Sequence, residues 1–144
     1  MAKDKSNIFV DSNVLVALYR LDDALHQKAV ELSVELDKYK PTYVTNNYCI
    51  NEALTILLLR TKSLEASIKL GQMVYEGLNP WFRLLQVDKD AQRQAWDFFQ
   101  QQKPTDQISF TDCTIIVHMK NQNIKQILTF DTHLEKFISS NLKL

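Results

Sequence analysis

At 144 residues, 45% hydrophobic and 24% charged, the chain is long enough to bury a core of its own and is composed as a folded globular protein, not a disordered or fibrous one. Two glycines and three prolines argue against low complexity and a turn-rich all-β fold; two cysteines, Cys49 and Cys113, lie far apart in no metal spacing and read as reduced core thiols. Seventeen basic and seventeen acidic residues cancel, so no global positive field draws a polyanion to the molecule and any such attraction must come from a local patch.

The polar start, Met-Ala-Lys-Asp-Lys-Ser-Asn, has no apolar signal core, and no run approaches the roughly 20 apolar residues of a membrane span. A cytoplasmic protein of one domain over residues 1–144 is expected. Ile8-Phe9-Val10 reads as a buried strand running into Asp11, with Ser12 and Asn13 placed to cap a helix through Tyr19. Leu25, Ala29, Leu32 and Leu36 recur at helical spacing to about Lys38, and Pro41 breaks that pattern. Thr42 to Thr45 is a short strand. Asn46 or Asn47 caps a helix through Glu52 to about Arg60. Ser63 opens a fourth helix, with Leu64, Ile68, Gly71 and Tyr75 sharing one side, and Asn79-Pro80 ends it.

Phe82 to Val87 reads as a strand and Asp88 as the cap of a helix carrying Ala91, Ala95, Phe98 and Phe99. Lys103 to Gln107, with Pro104, is a loop. Phe110, Cys113 and Val117 mark one face of a helix to about Asn121. Gln126 to Phe130 is a strand, Thr132 to Ile138 a helix, and Leu142 to Leu144 a terminal edge strand. Apolar strands alternating with helices make an α/β fold, a parallel sheet covered on both faces, in which ligands bind beyond the carboxyl ends of the strands.

Four acids sit where that edge can collect them. Asp11 and Asp131 end the segments Ile-Phe-Val-Asp and Ile-Leu-Thr-Phe-Asp; Asp112 lies in the first turn of its helix; Glu52 stands inside a helix beside a long apolar run. Mg²⁺ and Mn²⁺ take hard oxygen ligands, and carboxylates supply both the oxygens and the neutralising charge. Without a cation, clustered carboxylates repel and hold on to protons. Each acid also has a structural alternative: a cap at Asp11 or Asp131, a capping box with Ser109 at Asp112, a solvated helix edge at Glu52. Asp88 also follows a strand and precedes a helix, and periodicity alone does not separate it from Asp131.

Phe-Val-Asp11-Ser-Asn-Val-Leu-Val, Asn-Glu52-Ala-Leu-Thr, Ser-Phe-Thr-Asp112-Cys-Thr and Leu-Thr-Phe-Asp131-Thr-His-Leu resemble, in order and spacing, the motifs of PIN-domain proteins, most closely the VapC-like toxins of toxin–antitoxin pairs. The likeness covers nearly the whole chain. It implies a PIN-like three-layer α/β/α sandwich around a short central parallel sheet. It implies a metal-dependent endoribonuclease that hydrolyses RNA phosphodiester bonds, with Mg²⁺ or Mn²⁺ among Asp11, Glu52, Asp112 and Asp131. Asp11 and Asp112 would be the main ligands, Glu52 and Asp131 would act through water or a second ion, and Ser12, Asn13 and Thr111 would orient the carboxylates. The resemblance selects Asp131 over Asp88. It further implies a homodimer and a cognate antitoxin whose tail occupies the active site. Arg60, Lys103 and Lys120 are candidate phosphate contacts.

Within the family the alternatives are a non-toxin PIN nuclease of RNA processing and a non-catalytic PIN scaffold that binds protein or RNA. Outside it, a phosphoacceptor receiver domain would carry an acidic pair after the first strand, and a haloacid-dehalogenase-type phosphatase would carry Asp-x-Asp. Here Ser12 and Asn13 follow Asp11.

Overall fold

The computed structural model describes residues 6–142. Four parallel strands, β1 (Asn7–Val10), β2 (Thr42–Asn46), β3 (Phe82–Leu85) and β4 (Gln126–Leu128), form one sheet in the order β3-β2-β1-β4. The helices are α1 (Ser12–Tyr19), α2 (His26–Asp37), α3 (Asn47–Thr61), α4 (Leu64–Tyr75), α5 (Lys89–Gln101), α6 (Phe110–Asn121) and α7 (Thr132–Asn141). Side chains alternate across a strand, so each strand feeds two cores. Ile8 and Val10 of β1 and Tyr43 of β2 pack with Val14, Leu15, Ile50, Leu57 and Leu70 from α1, α3 and α4. Phe9 and Val44 point the other way and pack with Ala91, Ala95, Ile115, Ile116, Leu134 and Ile138 from α5, α6 and α7. The result is the three-layer α/β/α sandwich anticipated from the apolar strands.

The chain starts in the middle of the sheet, moves outward through β2 and β3, and returns to the opposite side of β1 with β4. The gap between β1 and β4 is therefore the topological switch point, where the connections leave in opposite directions and open a crevice at the carboxyl edge.

Several boundaries differ from the sequence reading, each for a local reason. Asp11 itself caps α1 by accepting from the Ser12 N–H, where Ser12 or Asn13 was expected to cap; both of those residues are turned to other partners. β3 stops at Leu85, because the Asp88 N–H turns back to the Gln86 carbonyl and the Val87 N–H donates to Asn47. β4 stops at Leu128, where Thr129 leaves the ladder for a side-chain bond. The expected loop at 103–107 contains a single 3₁₀ turn, Pro104–Asp106. α7 runs on to Asn141 and Leu142 closes it through its N–H to Ile138, so no strand begins there; residues 143–144 lie outside the described region. The Leu64, Ile68 and Tyr75 side of α4 faces outward, and Ser67 and Leu70 are the residues that bury it.

Candidate active site

Asp11 follows β1 directly, and its main-chain N–H donates to the Leu128 carbonyl of β4 at 3.0 Å, so it sits on the crevice between the two strands. The side chain is only 4% exposed. Its Oδ1 accepts the Ser12 N–H at 2.7 Å, and its Oδ2 accepts the Thr129 hydroxyl at 2.8 Å and the Asn13 amide at 3.3 Å. Burial pushes its carboxyl up to about 6. The Thr129 and Ser12 hydrogen bonds oppose that shift, and the charges of Asp112 and Glu52 add to it.

The other three acids come from three further segments. Glu52, exposed on the second turn of α3, accepts the Ser12 hydroxyl at 3.1 Å. A hydroxyl has one proton, and the contact from the same oxygen to Asp11 is longer at 3.4 Å, so Ser12 ties Glu52 to the end of β1. Asp112 is the third residue of α6 and forms a capping box: its Oδ2 accepts the Ser109 N–H and Ser109 Oγ accepts the Asp112 N–H, both at 3.0 Å. Burial raises its carboxyl, hydrogen bonding to it from the Ser109 main-chain N–H and from the Ser109 side chain opposes the rise, and the charges of Asp131 and Glu52 add to it. Asp131 caps α7, with Oδ1 taking the His133 and Leu134 N–H groups at 2.9 and 3.2 Å.

The four acids are thus electrically coupled: Asp11 feels Asp112 and Glu52, and Asp112 feels Asp131 and Glu52. The fully buried Cys49 thiol, pushed up first by burial, also responds to Asp11, Glu52 and Asp112. Asp88 is not in this group; it accepts the Ala91 N–H and caps α5. The capping box foreseen for Asp112 with Ser109 is present.

Sequence reasoning named Ser12 and Asn13 as supports of the acids but missed Thr129 and the distant partners of Asn46. Thr129 donates to Asp11 and accepts the Asp131 N–H at 3.0 Å, so one hydroxyl joins two of the acids. Asn13 spans the same crevice, its amide on Asp11 and Thr129 and its carbonyl on the Phe130 N–H. Deeper down, Asn46 ends β2, caps α3 through the Cys49 N–H, and donates to Thr114 of α6 at 3.0 Å. Its amide also meets His118 Nδ1 at 3.1 Å. That contact makes Nδ1 the acceptor and leaves the other ring nitrogen to the Gln86 main chain, a neutral tautomer assigned from the network. Burial lowers the His118 pKa, in keeping with it. The network locks the start of α3 to α6, hence Glu52 to Asp112. A cap at Asn46 is readable from sequence; its partners 68 and 72 residues away are not. Thr111, expected to orient a carboxylate, makes no side-chain hydrogen bond to the four acids among the described residues; its carbonyl accepts the Thr114 hydroxyl one turn on in α6. Arg60 and Lys120 each stand eight residues beyond an acid on the same helix, about 12 Å along the axis. That places both toward the opposite edge of the sheet.

Among the described residues no three Asp, Glu, His or Cys side chains close tightly enough to cage a bare ion. Nor does any ion pair found there neutralise the four acids; those pairs are Arg20–Asp22, Lys38–Glu35, Lys69–Glu65 and Arg93–Asp97. The donor set instead suits a hydrated divalent cation. Mg²⁺ keeps several waters and needs only one or two direct carboxylates. Asp112 Oδ1 takes no protein donor among the described residues, and since every buried polar side-chain atom there is satisfied, this oxygen faces accessible space.

The family model described as PIN domain matches residues 8–138. Among solved structures, the crystal structure of Mycobacterium tuberculosis VapC20, a sarcin–ricin loop cleaving toxin, is similar at 27% identity with a TM-score of 0.78, over 90% of this chain and 94% of that one. No curated protein sequence matches the chain significantly.

Proposed function

Since the chain belongs to the PIN-domain family, we propose that it is a metal-dependent endoribonuclease, a single catalytic domain that hydrolyses RNA phosphodiester bonds as the toxin of a toxin–antitoxin pair. The observation that carries this reading is the set of links among the four acids: the Ser12 hydroxyl reaches Glu52 and Asp11, Thr129 joins Asp11 to the Asp131 main chain, and Asp112 feels the charges of Asp131 and Glu52. RNA as the substrate is supported by the sarcin–ricin loop cleavage named for the M. tuberculosis relative.

In this reading Asp11 and Asp112 hold a Mg²⁺ or Mn²⁺ ion, with Glu52 and Asp131 acting through water; the ion would supply positive charge to the phosphate and an acidified water. The chain's own residues do the positioning. The Ser12 main chain holds one Asp11 oxygen and Thr129 and Asn13 hold the other, the Ser12 hydroxyl holds Glu52, and Ser109 fixes one oxygen of Asp112 so that the other points outward. We place the reaction in the cytoplasm; no helix among the described residues is long and apolar enough to cross a membrane. A homodimer and a cognate antitoxin complete the proposal. The outward Leu64, Ile68 and Tyr75 side of α4, with Leu58 beside it, offers the apolar area that a protein partner covers.

The test is cleavage of a structured RNA with Mn²⁺ and with EDTA. Cleavage should stop in EDTA and return with excess Mn²⁺; activity indifferent to both would sink the reading. Removing a hydrogen bond that orients a metal ligand costs about 10- to 100-fold in metal affinity or activity. Thr129→Val should therefore weaken Mn²⁺ binding by that factor in calorimetry while the protein stays folded. An unchanged affinity would show that Thr129 is not a support of the site.

A further inference from the structure

Four aromatic rings run outward from the acids. Tyr48 lies one helical turn before Glu52 on the same side of α3, and Phe110 is two residues before Asp112 at the start of α6. The rings of Tyr48 and Phe110 are 6.3 Å apart; Phe110 meets Phe99 of α5 edge-to-face at 6.0 Å, and Phe99 stacks on Trp96 at 6.1 Å. Exposure grows along the series: Tyr48 and Phe110 are half-buried and pack on the core, whereas Phe99 is 36% and Trp96 48% exposed. A core function does not require the last two rings, and leaving them in water is costly.

Basic side chains line one stripe of the surface beside the rings, while Asp106 lies near Lys103, accepting its main-chain N–H. Lys89, Arg93, Trp96 and Gln100 recur every three or four residues on one stripe of α5, all exposed, and Lys103 follows where the helix ends. The acids of the helix, Asp90 and Asp97, lie on the flank away from Phe99. The Arg93–Asp97 contact is long, at 3.6 Å between exposed groups, and holds Arg93 weakly. Rings that offer π-faces beside a track of cations match the chemistry of a single-stranded nucleic acid, whose bases stack and whose phosphates are negative. A second copy of the chain fits less well, because an isologous contact centred on this stripe would set Lys89, Arg93 and Lys103 against their own equivalents.

We propose that Trp96, Phe99, Phe110 and Tyr48 form a platform on which successive unpaired bases of the RNA stack, with Lys89, Arg93 and Lys103 on its phosphates, leading the strand into the acidic pocket. The proposal rests on the ribonuclease reading for its direction, but its binding test does not depend on cleavage.

The experiment titrates a short end-labelled single-stranded oligoribonucleotide, and the same strand annealed to its complement, into the protein in EDTA, reading anisotropy and, in a Trp81→Phe background, quenching of Trp96 fluorescence. The single strand should quench Trp96 and bind more tightly than the duplex. Trp96→Ala should weaken it about tenfold, and Trp96→Phe should restore most of the loss. With Mn²⁺ present, Trp96→Ala should raise KM and leave kcat within about twofold. Equal affinity of wild type and Trp96→Ala for the single strand overturns the platform. So does a Trp96→Ala protein that binds RNA normally but dissociates from dimer to monomer by light scattering, which would assign the face to a second copy. Quenching without any Mn²⁺-dependent cleavage upholds the platform and removes the nuclease; cleavage with an indifferent Trp96 does the reverse.

Discussion

Asp112→Asn should lower the rate of RNA cleavage by about a thousandfold while leaving the fold nearly as stable as before. Asp112 does two jobs, and the substitution divides them. Its Oδ2 accepts the Ser109 N–H in the capping box of α6, a duty that an asparagine carbonyl can also perform. Its outward oxygen and its charge belong to the proposed metal centre, and asparagine supplies no negative charge there. Losing a charged metal ligand removes several kcal/mol of stabilisation from a transition state in which the phosphate gains charge, and each 1.4 kcal/mol is a factor of ten. Ser109→Ala divides the roles the other way: it removes the Oγ acceptor for the Asp112 N–H and should cost about 1 kcal/mol of stability. Its cleavage rate should stay within about tenfold. Parallel chemical denaturation and single-turnover cleavage of both variants check the pair. Asp112→Asn cutting RNA at a rate near wild type would leave that residue a cap and nothing more.

The second large effect is on stability against pH. Burial pushes the Asp11 carboxyl up to about 6 in the folded protein, against an ordinary 3.8. A raised carboxyl pKa means that the folded state holds its proton more tightly than the unfolded state does. The contribution of this group to stability is therefore full below about pH 3.8 and is lost as pH rises through about 6. At 1.36 kcal/mol per pH unit, the loss by neutral pH is about 3 kcal/mol. Asp112 is raised too and acts in the same sense. Metal-free wild type should accordingly lose stability between pH 4 and pH 7, and Asp11→Asn should lose about 3 kcal/mol less over the same window. Excess Mn²⁺ at pH 7 should restore the wild type and do little for the variant, since a ligand that binds only the folded state stabilises it by mass action. Urea denaturation in EDTA at several pH values measures this directly. Parallel pH profiles for the two proteins would show that Asp11 is not the strained acid.

The layer structure and most of the elements were legible because their signals are local. Apolar triplets such as Ile8-Phe9-Val10, the caps at Asn46, Ser63 and Asp88, and the break at Pro41 each act within a few residues. What escaped depends on neighbours brought in by the fold. Thr129 looks like the fourth residue of a strand, yet it leaves the ladder because Asp11, 118 residues earlier, offers an acceptor beside it. Asp11 caps its own helix because Ser12 is drawn toward Glu52 and Asn13 toward Thr129 and Phe130, just past the end of β4. The four acids were proposed from the resemblance of their motifs; the charges they exert on one another come only from the fold. α4 left one choice open: Leu64, Ile68 and Tyr75 share a side as their spacing predicts, and only the fold shows that this side faces water.

The position of β4 carries one more consequence. The pocket closes only when residues 126–131 reach β1, since the Leu128 carbonyl and the Thr129 hydroxyl are what seat Asp11. A nascent polypeptide still missing those residues has three of the carboxylates and no finished centre. On the proposed reading, a chain still short of those residues would be unable to cut RNA, and its activity would begin only once β4 and the turn after it had been made.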